Sequence, residues 1–164
     1  TEERAFLLAH DTDPFNRWEA GRALAKDVMA EMALKGAQPR AAWLDALAAL
    51  VFDESLDPAF RALCLRLPGE DDMAQMIHAT GRVPDPARIH AARREMAGAL
   101  AIRLGEGLQR LYRELDDSAP FSPSAVQAGR RALKNAALAL MTRRDGGKLA
   151  ASAFARARFG VSRG

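Results

Sequence analysis

Three histidines and one cysteine are the side chains here best suited to metal binding or nucleophilic attack, and their neighbours offer neither. A zinc peptidase helix needs His-Glu-x-x-His, which sets two imidazoles on one face and a general base between them. His78 precedes Ala79-Thr80-Gly81-Arg82 and His90 precedes Ala91-Ala92-Arg93-Arg94, so neither begins that pattern. His10, His78 and His90 are therefore read as surface or helix-end residues, where imidazole complements a helix dipole. Cys64 falls on a face with Phe60, Leu63 and Leu67 and is read as a small buried hydrophobe. A reactive thiolate would need a neighbouring base or cation, which the sequence does not supply.

The paired acids lead to the same conclusion. Carboxylate chemistry needs two groups converging across a cleft, and adjacent acids on a helix diverge. Glu70, Asp71 and Asp72 suit the first turn of a helix, where the dipole favours negative charge. Asp116-Asp117 marks a helix end. Gly105-Glu106-Gly107 follows no strand, so it is not a phosphate-cradling loop. With Gly21 and Gly129, these glycines are read as close-packing positions. Arg93-Arg94 and Arg130-Arg131 are read as solvated faces, and Arg143-Arg144 opens a basic C-terminal stretch. The expected catalytic residues are none, and the expected metal ligands are none.

The elements that carry these residues are helices. All eight prolines stand where helices start or stop. Asp13-Pro14, Asp57-Pro58, Asp85-Pro86 and Ser122-Pro123 each pair a capping side chain with a proline whose missing N–H has no partner to lose. Helices are expected over 2–10, 14–35, 40–54, 57–67, 70–79, 86–116 and 123–143, with a last one after Gly146-Gly147. Phe15, Trp18, Ala25, Val28 and Met32 recur at helical spacing in the second. Ile89, Met96, Leu100, Leu104, Leu108, Leu111 and Leu115 do so in the longest, which would extend about 46 Å as a straight rod. The fold class expected is all-α, an irregular array of about eight antiparallel helices like a fragment of an ARM/HEAT superhelix.

Composition sets the outer bounds. The chain has 164 residues, 49% of them apolar, enough for one core and against wholesale disorder. The net charge of +3 is unevenly spread. The last 22 residues hold six basic side chains and one acid, while the first 142 hold 18 basic and 20 acidic ones. That distribution argues against a nucleic-acid partner, which would need a basic stripe across the domain. No run is long and apolar enough for a membrane span. A single cysteine gives no sign of an oxidising compartment, and the location expected is cytoplasmic.

One stretch carries a family resemblance. Phe6-Leu7-Leu8-Ala9-His10-Asp11-Thr12-Asp13-Pro14-Phe15-Asn16-Arg17-Trp18-Glu19-Ala20-Gly21 resembles the opening of the helical C-terminal domain of bacterial aminopeptidase N, a family of zinc metalloaminopeptidases. Leu56-Asp57-Pro58-Ala59-Phe60, the run Leu65 to Ala74, the run Asp85 to Arg93 and the run Gly129 to Asn135 resemble later family segments in the same order. The resemblance implies a single helical domain fragment over 1–164 from the first part of that domain. It matches poorly over 156–164, read as a disordered tail. It also implies a parent enzyme whose zinc sits in a separate catalytic domain, with no cofactor in this chain.

The partners implied are that catalytic domain of the same polypeptide and, through the parent, peptide substrates. The role implied is to shape and shield access to the active site. Asp13, Arg17, Trp18, Glu19 and Asn135 are the structural or interdomain residues this suggests, with Arg17 pairing to a carboxylate or a helix end and Trp18 packed. A free-standing helical-repeat scaffold for protein or peptide is the alternative. An array cut from its neighbours exposes apolar surface, so the isolated chain is expected to self-associate.

Overall fold

A computed structural model describes residues 2–116 and 120–160. Among them are eight helices and no strand: α1 (Glu2–His10), α2 (Pro14–Lys35), α3 (Ala41–Phe52), α4 (Pro58–Cys64), α5 (Glu70–Ala79), α6 (Pro86–Glu114), α7 (Ala125–Asp145) and α8 (Lys148–Gly160). The expected all-α array of about eight helices is present. Helices α2 and α6 lie at its centre. Helix α2 packs on α1, α3, α4, α5 and α6, while α7 packs on α4 and α6 and carries α8.

Three of the proline-marked starts form as their chemistry requires. Asp13 accepts from the Phe15 N–H, Asp57 from those of Ala59 and Phe60, and Asp85 from those of Ala87 and Arg88, each with proline in the first turn. The fourth differs. Helix α7 starts at Ala125 with Ser124 as its cap. The Ser122 hydroxyl accepts from the Ser124 N–H at 3.2 Å, and the Ser122 N–H donates to Gln127 Oε1 at 2.8 Å. Ser122-Pro123 is therefore a turn leading into the helix.

Several ends also differ from the expected ones, each for a local reason. Helix α3 ends at Phe52 because Asp53 Oδ1 captures the Ser55 N–H at 3.0 Å and forms a turn. Helix α4 ends at Cys64 rather than 67. A continued helix would need Pro68 to donate to the Cys64 carbonyl, and proline has no N–H. Helix α7 runs two residues past 143 and stops at Gly146, which takes the left-handed conformation (φ 64°). Asp145 then accepts from the N–H groups of Leu149 and Gly147, which holds its carboxyl below the usual range and starts α8. The stretch 156–164 overlaps α8 as far as Gly160, and its last four residues lie outside the described ones.

The straight long rod does not form. Helix α6 is broken at Gly105, whose backbone (φ 45°, ψ −124°) only glycine readily adopts. A Cβ at Gly105 would meet nothing, so this glycine serves the kink and not close packing. Gly107 is the close approach, with the Phe52 ring filling the space a Cβ would take.

The apolar stripe of α6 is buried throughout, from Ile89 to Leu115, and packs with Leu50, Val51, Met29 and Leu133 in one core. Each such side chain contributes about 1.5–3 kcal/mol by leaving water. In α2 the stripe holds for Ala25, Val28 and Met32, but Phe15 is 59% exposed. It sits in the first turn and rests on Trp18, ring centroids 5.7 Å apart. Phe6, Val83, Ile102, Phe121, Val126 and Phe154 are also large, apolar and exposed.

Candidate functional site

The α1–α2 corner gathers three of the residues singled out from the sequence. The Asp13 N–H donates to Asp11 Oδ1 at 2.8 Å while the Asp13 carboxylate caps α2, so two acids fix the turn. Four residues into the pattern, Arg17 Nε donates to the Leu8 carbonyl at 3.2 Å. Leu8 lies in the last turn of α1, where carbonyls lack helical partners. Trp18 is half-buried, with the Arg22 guanidinium 5.8 Å from its ring centroid. Arg22 in turn pairs with Asp72 at 2.7 Å, linking α2 to α5. Glu19 is exposed and has no hydrogen-bond or ion-pair partner among the described residues.

The same device recurs one helix pair later, at a residue the sequence reasoning missed. Arg61 is the buried charged side chain of the described core, 6% exposed, and its Nε donates to the Val51 carbonyl at 2.7 Å. Val51 lies in the last turn of α3. The signal was present: Asp13-Pro14-Phe15-Asn16-Arg17 and Asp57-Pro58-Ala59-Phe60-Arg61 share the pattern Asp-Pro-x-x-Arg. In each, the aspartate caps the new helix and the arginine, one turn on, caps the preceding one. The repetition makes two consecutive interhelix corners alike. Asp53 lies within the field of both arginines, although its carboxyl is held low first by hydrogen bonds from Ser55.

Asn135 does not join this corner. It is exposed on α7, at the rim of a groove of about 540 Å³ between α7, α6 and the segment after α4. Arg66, Arg93 and Arg143 stand around it over a floor of alanine and leucine. A second cavity, of about 470 Å³, opens beside the α6 kink, with Tyr112, Arg113, Asp116, Arg144, Asp145 and Arg156 among its walls. Its two carboxylates are engaged, Asp145 on α8 and Asp116 with Lys134 at 2.5 Å. That lysine bond holds the Asp116 carboxyl below its usual range.

Among the described residues, no three His, Cys, Asp or Glu side chains converge as a metal site. His90 Nδ1 meets Glu70 Oε1 at 2.9 Å and ties α6 to α5, His78 is exposed in the last turn of α5, and the His10 side chain lies outside the description. Burial pushes the Cys64 thiol up to about 11, against a smaller opposing pull from Arg17. A protonated, buried thiol is a poor nucleophile. The contacts these residues make are interhelix packing, capping and ion pairs.

Comparison with known proteins fits this picture. The profile of a family described as "Domain of unknown function (DUF3458_C) ARM repeats" matches residues 1–159. A protein named Aminopeptidase N from Caulobacter vibrioides is 44% identical over 137 residues, covering 82% of this chain and 15% of its own length. Aminopeptidase N from Escherichia coli is 27% identical over 142 residues, covering 84% of this chain and 16% of its own length. This chain thus spans about one sixth of these relatives. The solved structure of Legionella pneumophila aminopeptidase A in complex with aspartic acid superposes with a TM-score of 0.73 at 21% identity, over 90% of this chain and 18% of that one, a likeness of fold. Recurrent helix pairs, Asp-Pro-x-x-Arg corners and a profile match over nearly the whole chain lead to one assignment: the chain belongs to the DUF3458_C family of ARM-repeat domains, and it matches a stretch of proteins named Aminopeptidase N.

Proposed function

We propose that this chain is a non-catalytic helical segment of a zinc-dependent aminopeptidase, within the C-terminal domain, and that it shapes and shields access to an active site housed elsewhere in the polypeptide. The observation that carries this is the 44% identity to a protein named Aminopeptidase N, of which the chain spans only 15%. The catalytic domain of the same polypeptide is the neighbour proposed, and peptides losing their N-terminal residues are the substrates. Zinc belongs to that catalytic domain. The exposed Phe6 and Phe15 are surfaces such a neighbour would cover. No helix among the described residues is long and apolar enough to cross a membrane, and a cytoplasmic enzyme is the location proposed.

In this reading the Arg17–Leu8 corner sets the angle at which the helical array leaves the rest of the enzyme. Replacing Arg17→Ala and Trp18→Ala together in the full-length parent tests it. Hydrolysis of a single-residue amide should change by less than about twofold, because positioning at the zinc is untouched. Release of N-terminal residues from long peptides should rise relative to that rate as the wall loosens. An unchanged ratio between short and long substrates would rule out the shielding role.

A further inference from the structure

The groove between α4, α6 and α7 is positively charged. Arg66, Arg93 and Arg143 line it and no carboxylate does. At several other places the described surface pairs a cation with an acid, as in Arg22–Asp72, Arg40–Glu31 and Lys134–Asp116. Here the guanidinium groups of Arg66 and Arg143 have no hydrogen-bond or ion-pair partner among the described residues. Arg93 is half-buried, and its Nε is pinned to the Pro68 carbonyl at 3.1 Å, which fixes the guanidinium at the wall with other N–H donors free. Asn135 adds an uncommitted amide.

The floor is complementary in size. Ala132, Ala136 and Ala139 of α7 follow at helical spacing and leave space where larger side chains would fill it. The volume of about 540 Å³ falls within the range that small ligands and short peptide segments occupy. No aromatic ring lines the groove, so bases would find no stacking platform.

We propose that this groove is a binding site for an acidic peptide segment, with carboxylates on the arginines and small aliphatic side chains against the alanine floor. The site is built wholly from this chain, so it goes beyond the peptidase reading, and the two fail separately.

The test is fluorescence anisotropy of a fluorescein-labelled peptide alternating glutamate and alanine, titrated with the full chain at low ionic strength. Saturable binding that weakens with salt is expected. Arg66→Glu with Arg143→Glu should weaken it by about tenfold or more, since two charge-assisted contacts are lost and like-charge repulsion replaces them. Arg66→Gln with Arg143→Gln, which removes charge without adding repulsion, should give a smaller loss in the same direction. Arg82→Glu with Arg88→Glu changes net charge equally at exposed positions away from the groove and should cost less than about twofold, the residual long-range effect. Equal loss in the groove and control variants would overturn the proposal. So would undiminished binding in the groove variants, equal binding of a labelled control peptide alternating lysine and alanine, or a single-stranded oligonucleotide that binds the groove more tightly than the acidic peptide.

Discussion

Replacing Arg61→Ala should lower the unfolding free energy by about 3 kcal/mol, the range expected when a buried charged contact is broken and a void is left. Two losses combine. The Val51 carbonyl, at the end of α3, loses the donor that satisfies it at 2.7 Å. The packed stem of a side chain only 6% exposed also disappears from the α3–α4 corner. Arg17→Ala removes the equivalent contact at the α1–α2 corner, but Arg17 is only half-buried and its bond is longer, 3.2 Å. Water can replace it there, so a cost of about 1 kcal/mol is expected. Urea unfolding of the two variants checks the order. Equal midpoints would show that burial does not separate the two corners.

The second large effect is expected where α7 crosses α4. A Cβ on Gly129 would lie 3.0 Å from the Ala59 backbone nitrogen and 3.3 Å from its Cβ. Backbone cannot step aside as a flexible side chain can. Gly129→Leu should therefore force α4 and α7 apart and cost about 2–3 kcal/mol, despite the gain in helix propensity. Gly98, within α6, is the control, because a Cβ there meets nothing. Gly98→Ala should stabilise by up to about 1 kcal/mol, raising the melting temperature by roughly 2–4 °C. Thermal unfolding of both variants measures the difference. A Gly129→Leu chain as stable as the parent sequence would contradict the tight α4–α7 seam.

Local chemistry made much of this fold legible in the sequence. Asp13, Asp57 and Asp85 act within three residues of themselves, so a capping aspartate before proline suffices to place a helix start. The α6 stripe was legible for the same reason: its period is set by the helix, and every member from Ile89 to Leu115 is buried. What failed depends on longer reach. Ser122 looks like a cap, yet Gln127 captures its N–H and moves the start to Ala125. Gly105 and Gly107 are two residues apart and similar in sequence, but one supplies a kink and the other admits Phe52 from α3. The groove arginines come from separate segments, and only tertiary packing brings Arg66 and Arg93 beside Arg143. Asn135 was found through resemblance, while the groove it borders was not.

The peptidase reading rests on a division of labour within a longer polypeptide, and one assay separates it from its alternatives. The purified 164-residue chain and the full-length parent are each incubated with a peptide and zinc, and release of the N-terminal amino acid is followed. The expected result is release by the parent, lost on chelation, and a rate for the chain alone no higher than buffer. Zinc-dependent release by the chain alone, abolished by a chelator and restored by metal, would show that the chemistry resides in these helices and that their assignment as a non-catalytic wall is wrong.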